Sequence, residues 1–200
     1  MKILLVGASG TLGQAIIEEL GARHDIVRCG RSSGDVTVDM RDAASVAAMY
    51  QKVGQVDAVV CAAGNVPFLP LAELTETKYI EGLQDKLLGQ VRLVESGTKH
   101  VRDGGSFTLI SGILSDQPIV AGACASMVNG AIDAFVRAAA IELPRGIRIN
   151  SVSPTVLTES MESYGPFFRG MESVSAGRAA MAVSRSVEGR QTGQIYTIWQ

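Results

Sequence analysis

The sequence has little of several features that would assign it to a specialised class of protein. Its net charge is −2 and its 18 Lys and Arg residues are dispersed, so no basic field is available for nucleic acid. Its three cysteines form no CxxC pair, so neither a metal site nor a disulfide framework is predicted. No apolar run approaches the roughly 20 residues of a membrane span. These absences favour a cytoplasmic protein without nucleic-acid or membrane partners.

What is present is the composition and patterning of a globular α/β chain. Of its 200 residues, 46% are hydrophobic and 19% are charged, which is enough for one domain with a sizeable core. Strands are predicted at 2–6, 25–29, 36–40, 56–64, 106–111, 146–154 and 192–199, and helices at 12–20, 43–53, 74–100, 125–143 and 178–187. This alternation predicts a doubly wound parallel sheet of about seven strands, the Rossmann fold, as a single domain over residues 1–200.

The least regular stretch of the sequence is residues 155–176. It contains two glycines, Pro166 and the adjacent pair Phe167 and Phe168. In a parallel sheet this stretch would follow the carboxyl end of a strand, where ligands bind. We therefore expect it to form a substrate lid.

A glycine-rich turn, GASGTLG at 7–13, follows the first predicted strand and opens the first helix. Glycines at this spacing let the backbone turn tightly and approach a pyrophosphate, which the amide groups of the helix N-terminus then face. A tight turn without a ligand is the alternative. The residues expected to bind the dinucleotide here are Gly7, Ser9, Gly10, Thr11, Leu12 and Gly13.

The end of the second predicted strand bears on which dinucleotide is bound. Binders of the unphosphorylated dinucleotide usually place a carboxylate there, whereas this chain has Arg31, Ser32 and Ser33. An arginine and two hydroxyls suit a 2′-phosphate through charge-assisted hydrogen bonds, so NADP(H) is predicted. The alternative is that Arg31 is an ordinary exposed loop residue.

Two further strand ends complete the predicted cofactor site. Asp39, followed by Met40, can accept from an adenine amino group or cap the next helix, and the sequence does not decide between these roles. Ala62, Ala63 and Gly64 end the fourth strand with almost no side chain. A cofactor can therefore lie across that strand end.

Four motifs together resemble the short-chain dehydrogenase/reductase family over essentially the whole chain. GASGTLG is similar to its phosphate loop, and CAAG to its Asn-Asn-Ala-Gly element, with Cys61 and Ala62 in place of the asparagines. GIRINSVSP is similar to its strand with a conserved pattern Gly-Ile-Arg-Val-Asn-x-x-x-Pro, and TGQIYTI to its final strand. The resemblance implies nicotinamide-dependent oxidation or reduction of a small carbonyl or alcohol substrate. It also implies that Pro154 and Val156 lie at the cofactor.

The family's catalytic group is Asn, Ser, Tyr and Lys, with the last two spaced Tyr-x-x-x-Lys. Counting back without a gap from AIELPRGIRIN at 140–150 places the tyrosine on Ala125 and the lysine on Asn129. The serine falls on Gly112, or on Ser111 with a shift of one, and the asparagine falls on Lys86. No tyrosine lies between residues 80 and 164, so the resemblance implies an atypical member without the Tyr-x-x-x-Lys pair.

Four residues are candidates for the remaining chemistry. Lys86 can reach the volume left by the missing tyrosine, and a desolvated lysine can act as an acid or stabilise an oxyanion. Ser111 can hydrogen-bond the substrate oxygen, Tyr164 can supply a phenol from the lid, and Asn129 can donate to the nicotinamide ribose. The alternatives are a Lys86 that snorkels to solvent, a Ser111 that satisfies a backbone group, and a Tyr164 that is an ordinary loop aromatic.

Three functions remain open from the sequence. The leading one is an atypical NADP(H)-dependent oxidoreductase acting on a small-molecule carbonyl or alcohol. The others are an NADP(H)-binding protein without turnover, such as a redox-responsive regulator or assembly partner, and a non-redox enzyme on the same fold. The long helices predicted at 74–100 and 125–143 resemble those that pair subunits in the family, which implies a homo-oligomer, either a dimer or a tetramer.

Overall fold

A computed structural model describes residues 1–200 and contains one parallel sheet of seven strands in the order β3-β2-β1-β4-β5-β6-β7. The strands are β1 Lys2–Val6, β2 Asp25–Gly30, β3 Val36–Thr37, β4 Val56–Cys61, β5 Val101–Ile110, β6 Arg148–Pro154 and β7 Ile195–Ile198. The order reverses between β1 and β4, where ligands bind in sheets of this kind. The predicted α/β fold with a doubly wound sheet in a single domain is confirmed.

Seven helices connect the strands. They are α1 Thr11–Leu20, α2 Ala43–Val53, α3 Glu76–Gly82, α4 Leu88–Gly97, α5 Ala123–Glu142, α6 Met161–Tyr164 and α7 Ala176–Glu188. Short 3₁₀ turns at Leu71–Glu73, Ile113–Ser115 and Thr158–Ser160 lie between them.

The sheet is covered on both faces, as its continuous apolar strands require. One face packs against α2, α4 and α5, with the fully buried Tyr50, Leu93, Phe107 and Ile132 at its centre. The other face packs against α1 and α7. A third, smaller apolar cluster lies past the ends of β5 and β6, and it forms part of the candidate active site.

Several predicted strand bounds were wrong. β3 is only two residues long because the chain bends after it, where the Asp39 carboxylate accepts from the backbone amide of Arg41. β5 begins at Val101 rather than 106, and the predicted break at residues 103–105 lies inside it. A register shift between Val56 and Ala58 absorbs the glycines there as a bulge.

The predicted helix at 74–100 is also corrected. It begins at Glu76, because Thr75 caps it by accepting from the Lys78 amide at 3.4 Å. It ends at Gly97, and between α3 and α4 it passes through a π-helical segment, Leu83–Leu87. A π-helical turn inserts a residue and turns the following side chains around the helix axis. Such turns often occur at functional sites, and this one carries Lys86.

By length and composition α5 is apolar enough to cross a membrane. In the fold, however, one face of α5 packs against β5 and β6, and it buries Asn129 and Asp133 there. The helix is therefore a core helix of this domain.

The predicted lid, residues 155–176, folds back over the ends of β6 and β7. Leu157 pairs with Val174 in an isolated parallel bridge, and the Thr155 hydroxyl donates to the carbonyl of Glu172 at 2.9 Å. The Glu159 carboxylate accepts from the backbone amide of Ala176 at the start of α7. These bonds close the segment into a compact loop that holds Phe168 inward.

Candidate active site

The residues predicted to bind cofactor and substrate come together at one edge of the sheet. Gly7 follows β1, Arg31 follows β2, Ala62 follows β4, and Ser111 follows β5. Because all strands are parallel, their carboxyl ends share this edge. Two hollows lie along it, a groove over β1, β2 and β4 and a cavity beyond β5 and β6. They share Gly64, Asn65 and Lys86 in their linings.

The phosphate loop turns where the backbone must come close to a neighbouring strand. Gly7 has φ +89, and a Cβ there would lie 2.6 Å from the carbonyl oxygen of Ala62. Only glycine fits this turn without strain. The Gln14 side chain donates to the Ala8 carbonyl at 2.7 Å and ties the loop to α1.

The start of α1 has the features of an anion site. No protein acceptor bonds the amides of Thr11, Leu12 and Gly13, and no side chain caps the helix. Free amides at a helix N-terminus suit a phosphate. Directly before these amides, Ser9 and Gly10 line the groove, which has a volume of about 410 Å³. The rest of its lining is Val6, Gly7, Gly30, Arg31, Val38, Met40, Ala62, Ala63, Gly64, Asn65, Asp85, Lys86 and Ile110. These residues fit a dinucleotide.

Arg31 lies at the far end of this groove. It is exposed and makes one ion pair in the structure, from its Nη2 to Asp85 at 3.4 Å. Asp85 also accepts from the backbone amide of Asn65 at 3.0 Å. Ser32 and Ser33 are exposed beside Arg31. The arrangement leaves the guanidinium free to meet a phosphate, although Asp85 competes for it.

Asp39 does not cap the next helix, so that alternative was wrong. The cap of α2 is Asp42, whose carboxylate accepts from the Ala44 amide at 2.9 Å. Asp39 instead pairs with Arg41, and the hydrogen bonds from Arg41 hold the pKa of the Asp39 carboxyl well below its usual range. Met40 is buried and lines the groove.

Gly64 and Gln90 hold Lys86 in place at the junction of groove and cavity. Gly64 has φ +128, and a Cβ there would lie 2.7 Å from Cγ of Lys86, so the glycine admits the lysine. The buried side chain of Gln90 donates to the carbonyls of Lys86 and Ile110 and accepts from the Ile110 amide. Gln90 therefore fixes the π-helical segment to the end of β5.

The Lys86 ammonium points inward. Its Nζ donates to the carbonyl of Ser111 at 2.9 Å and to Oδ1 of Asn129 at 2.7 Å, so it does not snorkel to solvent. The side chain is half-buried and lines both the cavity and the groove. Burial lowers the pKa of Lys86 to about 8, and the nearby Cys61 and Asp133 partly oppose that fall. A lysine whose pKa is this close to neutrality can act as a general acid.

Ser111 and Asn129 meet Lys86 on one side of the cavity. The Ser111 hydroxyl is buried and has no hydrogen-bond partner, so it does not satisfy a backbone group. Asn129 lies one turn of α5 before Asp133, which accepts from the Ser151 hydroxyl at 2.7 Å. Lys86, Ser111 and Asn129 thus form a polar cluster in which some hydrogen-bond donors have no acceptor within the protein.

Tyr164, in the segment 155–176 predicted as a lid, also lines the cavity. Its ring meets that of Phe68 edge-on, with centroids 5.7 Å apart, and it is partly exposed. Pro154 and Val156 line the same cavity rather than the groove.

Sequence reasoning missed four residues that shape the site: Phe68, Asp85, Gln90 and Asp133. Gln90 and Asp133 are polar residues on the apolar faces of long helices, and that interruption is a signal that could have found them. Phe68 lies in an irregular segment without a periodic pattern. Asp85 carries no signal because its role depends on the approach of Arg31 from a distant strand.

Comparisons with known proteins agree with this geometry. A family model described as enoyl-(acyl carrier protein) reductase matches residues 1–196. An uncharacterised oxidoreductase of Methylorubrum extorquens is 33% identical over 133 residues, which is 66% of this chain and 54% of that protein. Human L-xylulose reductase is 26% identical over 180 residues, covering 80% of this chain and 73% of the reductase. The chain thus matches only about half the length of the first of these relatives.

Solved structures extend the comparison. A crystal structure of a Listeria innocua protein is 51% identical, covers 100% of both chains and superposes with a TM-score of 0.98. A small-chain dehydrogenase in complex with NADPH is 22% identical, covers 99% of this chain and 96% of its own, and has a TM-score of 0.89. The second likeness is one of fold alone.

Proposed function

Because the chain belongs to the short-chain dehydrogenase/reductase family, we propose that it is an NADP(H)-dependent oxidoreductase of small carbonyl or alcohol substrates in which Lys86 is the proton donor. The observation that carries this proposal is the inward Lys86 ammonium, bonded to the Ser111 carbonyl and to Asn129 at the junction of groove and cavity. The oxidoreductase class follows from the family, whereas the cofactor preference and the catalytic group are our inferences.

Several features support the choice of cofactor. The free amides at the start of α1 suit the pyrophosphate, and Ala62, Ala63 and Gly64 leave the groove open above β4. Arg31, Ser32 and Ser33 suit a 2′-phosphate, and the NADPH complex of a structural neighbour is consistent with this preference. Asp39 and Met40 border the adenosine end in this proposal.

A nicotinamide cofactor, if bound along the groove, would supply a hydride with its two electrons to the substrate carbonyl carbon. The carbonyl π pair moves to the oxygen, which takes a proton from the Lys86 ammonium. Two of the three Lys86 protons are held by Ser111 and Asn129, so the third is free to meet the oxygen. The Ser111 hydroxyl, which has no other partner, donates a second hydrogen bond. The Lys86 amine then regains a proton from solvent, and the products are an alcohol and oxidised cofactor.

The roles of Asn129 and Tyr164 are secondary in this scheme. Asn129 positions Lys86 and keeps its amide nitrogen for the nicotinamide ribose. Tyr164 closes the cavity from the lid, and we do not assign it the proton, because it is Lys86 that bonds both the Ser111 carbonyl and Asn129.

The first test is a calorimetric titration of the purified protein with NADPH and, in parallel, with NADH. We expect NADPH to bind at least about tenfold more tightly, the size of one charge-assisted contact. NADPH oxidation is then followed with a panel of small carbonyl compounds for wild type, Lys86→Met and a matched control, Lys78→Met. Lys78 is exposed on α3, outside both hollows. Loss of turnover in Lys86→Met alone would support the proposal.

Other outcomes identify the competing functions. Tight NADPH binding without turnover of any carbonyl would favour a regulator or assembly partner. Equal rates for Lys86→Met and Lys78→Met would remove Lys86 from the chemistry. No binding of either dinucleotide would contradict the proposal as a whole.

We further propose a homo-oligomer. The outer face of α5 carries the exposed Met127, Ala134, Ala138 and Ile141, an apolar surface of the kind that subunits cover. Light scattering on the purified protein tests this, and a monomer at micromolar concentration would contradict it.

A further inference from the structure

The cavity beyond Lys86 differs in character from the groove. It encloses about 230 Å³ and is bounded by the loop after β4, the turn after β5, the start of α5 and the lid. The groove is lined mostly by backbone and small residues, whereas nine of the 18 residues around the cavity are hydrophobic. The cavity is therefore built to hold a specific ligand shape.

The polar groups of the cavity are concentrated at one end. Lys86, Ser111 and Asn129 meet there, and the buried Ser111 hydroxyl has no partner within the protein. A buried hydroxyl without a hydrogen-bond partner destabilises the fold unless a ligand or a water molecule bonds it. A single ligand oxygen at this end would satisfy both Ser111 and the free Lys86 proton.

The rest of the lining is mostly apolar, with Asn65 and Ser160 as further polar side chains. Phe68, Phe168, Leu114 and Val156 contribute apolar side chains there. The hydroxyl of Thr155 is already used by the Glu172 carbonyl. No carboxylate and no arginine line the cavity, so Lys86 is its only ionisable group apart from the Tyr164 phenol.

We propose that the substrate is an uncharged carbonyl compound with one oxygen on an otherwise apolar carbon skeleton no larger than a single substituted ring. This inference rests on the proposed function for the placement of the reacting oxygen at Lys86. It concerns the part of the ligand that Lys86 does not touch, and Phe68 is the residue that determines specificity there.

Size and polarity both limit the substrate. A cavity of roughly 150 Å³ accommodates benzene, so 230 Å³ admits one ring with a short substituent. A ketopentose would bring four hydroxyls into a lining of which half the residues are hydrophobic, and buried hydroxyls without partners are unfavourable. A 2-oxo acid would bring a carboxylate that finds only Lys86, and that lysine would then be unavailable to the carbonyl oxygen.

The test compares three probes of similar size: cyclohexanone, the ketopentose xylulose and 2-oxohexanoate. Wild-type kcat/KM is measured by NADPH oxidation for each. We expect cyclohexanone to exceed both others by at least about tenfold, since a polar group that finds no partner is rejected by about this factor or more. Equal or better turnover of xylulose or 2-oxohexanoate would overturn the inference.

A matched pair of variants tests the role of the apolar wall. Phe68→Ser removes an aromatic side chain from the cavity, whereas Leu71→Ser makes a similar change three residues later at an exposed position outside it. We expect Phe68→Ser to raise KM for cyclohexanone about fivefold or more with a smaller change in kcat. The ratio of kcat/KM for cyclohexanone to kcat/KM for xylulose should therefore fall. Identical behaviour of the two variants would contradict the role of Phe68.

A second readout does not depend on turnover. Trp199 is the single tryptophan of the chain and packs against the apolar cluster that contains Val156 and Phe168, so its fluorescence reports on the cavity. We expect cyclohexanone, but neither xylulose nor 2-oxohexanoate, to change the fluorescence saturably, and Phe68→Ser to weaken that change.

This readout separates the two proposals. A saturable signal with cyclohexanone alone, combined with no NADPH oxidation, would contradict the proposed reaction while supporting the ligand class. Turnover of xylulose with NADPH would support the reaction and contradict the ligand class. No fluorescence change with cyclohexanone, in a protein that turns over neither it nor the other probes, would contradict both.

Discussion

The groove over β1, β2 and β4 and the cavity beyond β5 are held together in different ways. Around Gly7 the chain exposes backbone amides, and the close contacts are between backbone atoms. Around Lys86 the hydrogen bonds are made by side chains. The Lys86 ammonium donates to Asn129, and the Gln90 side chain donates to the backbone carbonyl of Lys86. A backbone-built site tolerates most side-chain changes, whereas a side-chain network depends on each member. The glycine turn of the first site is similar to the family's phosphate loop, and we propose that the second site departs from the family's catalytic group.

The largest expected effect is at the side-chain end. Lys86→Met preserves much of the volume of the lysine but removes its proton and its charge. If Lys86 is the proton donor, kcat should fall by about 10²-fold or more, the usual contribution of a positioned acid. NADPH affinity, measured by calorimetry, should change much less, because the groove is built from backbone. An unchanged kcat would contradict the role of Lys86 as the proton donor.

The same substitution should alter stability with a pH dependence of its own. The pKa of Lys86 falls from 10.5 to about 8 on folding, so at pH 7 the folded state carries an ammonium in an unfavourable setting. As pH rises from 8 to 10.5 the unfolded state still binds this proton and the folded state has lost it, so wild type gains stability. Removing the charge should therefore stabilise the protein at pH 7 by on the order of 1–2 kcal/mol, after the loss of two hydrogen bonds is deducted.

Urea denaturation of both proteins across this pH range measures the effect. The difference in the free energy of unfolding, Lys86→Met minus wild type, should fall by about 2–3 kcal/mol between pH 8 and 10.5. Taking the difference cancels the opposite contribution of the buried thiols, since burial raises the pKa of both Cys29 and Cys61 to about 12. A difference independent of pH would show that Lys86 is solvated.

A smaller effect is expected at the groove. Arg31→Ala should weaken NADPH binding about tenfold and leave NADH binding within about twofold. Asp85→Asn removes the carboxylate that competes for Arg31, so it should strengthen NADPH binding. Calorimetric titration of the two variants against both dinucleotides measures this, and parallel losses for NADPH and NADH would contradict the assignment of Arg31 to the 2′-phosphate.

The smallest effect is one of pH profile. Reduction requires protonated Lys86, so kcat should decline as pH rises through about 8. The charge of Asp133 favours the ammonium, so Asp133→Asn should lower the pKa and move this decline to lower pH, by less than about one unit. Asparagine can still accept from Ser151, which limits the structural change. Cys61 acts in the same sense as Asp133 but is itself protonated in this range. An unshifted profile would remove Asp133 from the network.

Much of the fold could be predicted from the sequence, because the patterns that determine it are local. The apolar runs of β1 and β4, the period of α1 and the bounds of α2 all come from short-range patterns. The shortened β3, the bulge in β5 and the break of the 76–97 helix at Leu83–Leu87 were not readable. The helix break results from contacts with a distant segment, such as that of Gln90 with Ile110. The shortening of β3 comes from a turn at Asp39 and Arg41, which the apolar pattern of a strand does not reveal.

By itself the sequence determined the parallel sheet, the glycine turn at 7–13 and the absence of a tyrosine between residues 80 and 164. These depend on residue type, spacing and backbone freedom, which are properties of the chain. Only the tertiary structure decided that Lys86 points inward, that Asn129 and Ser111 meet it, and that Phe68 and the lid enclose apolar space beyond it. Burial and the lowered pKa of Lys86 come from atoms that are far apart in the chain, so no local pattern could specify them.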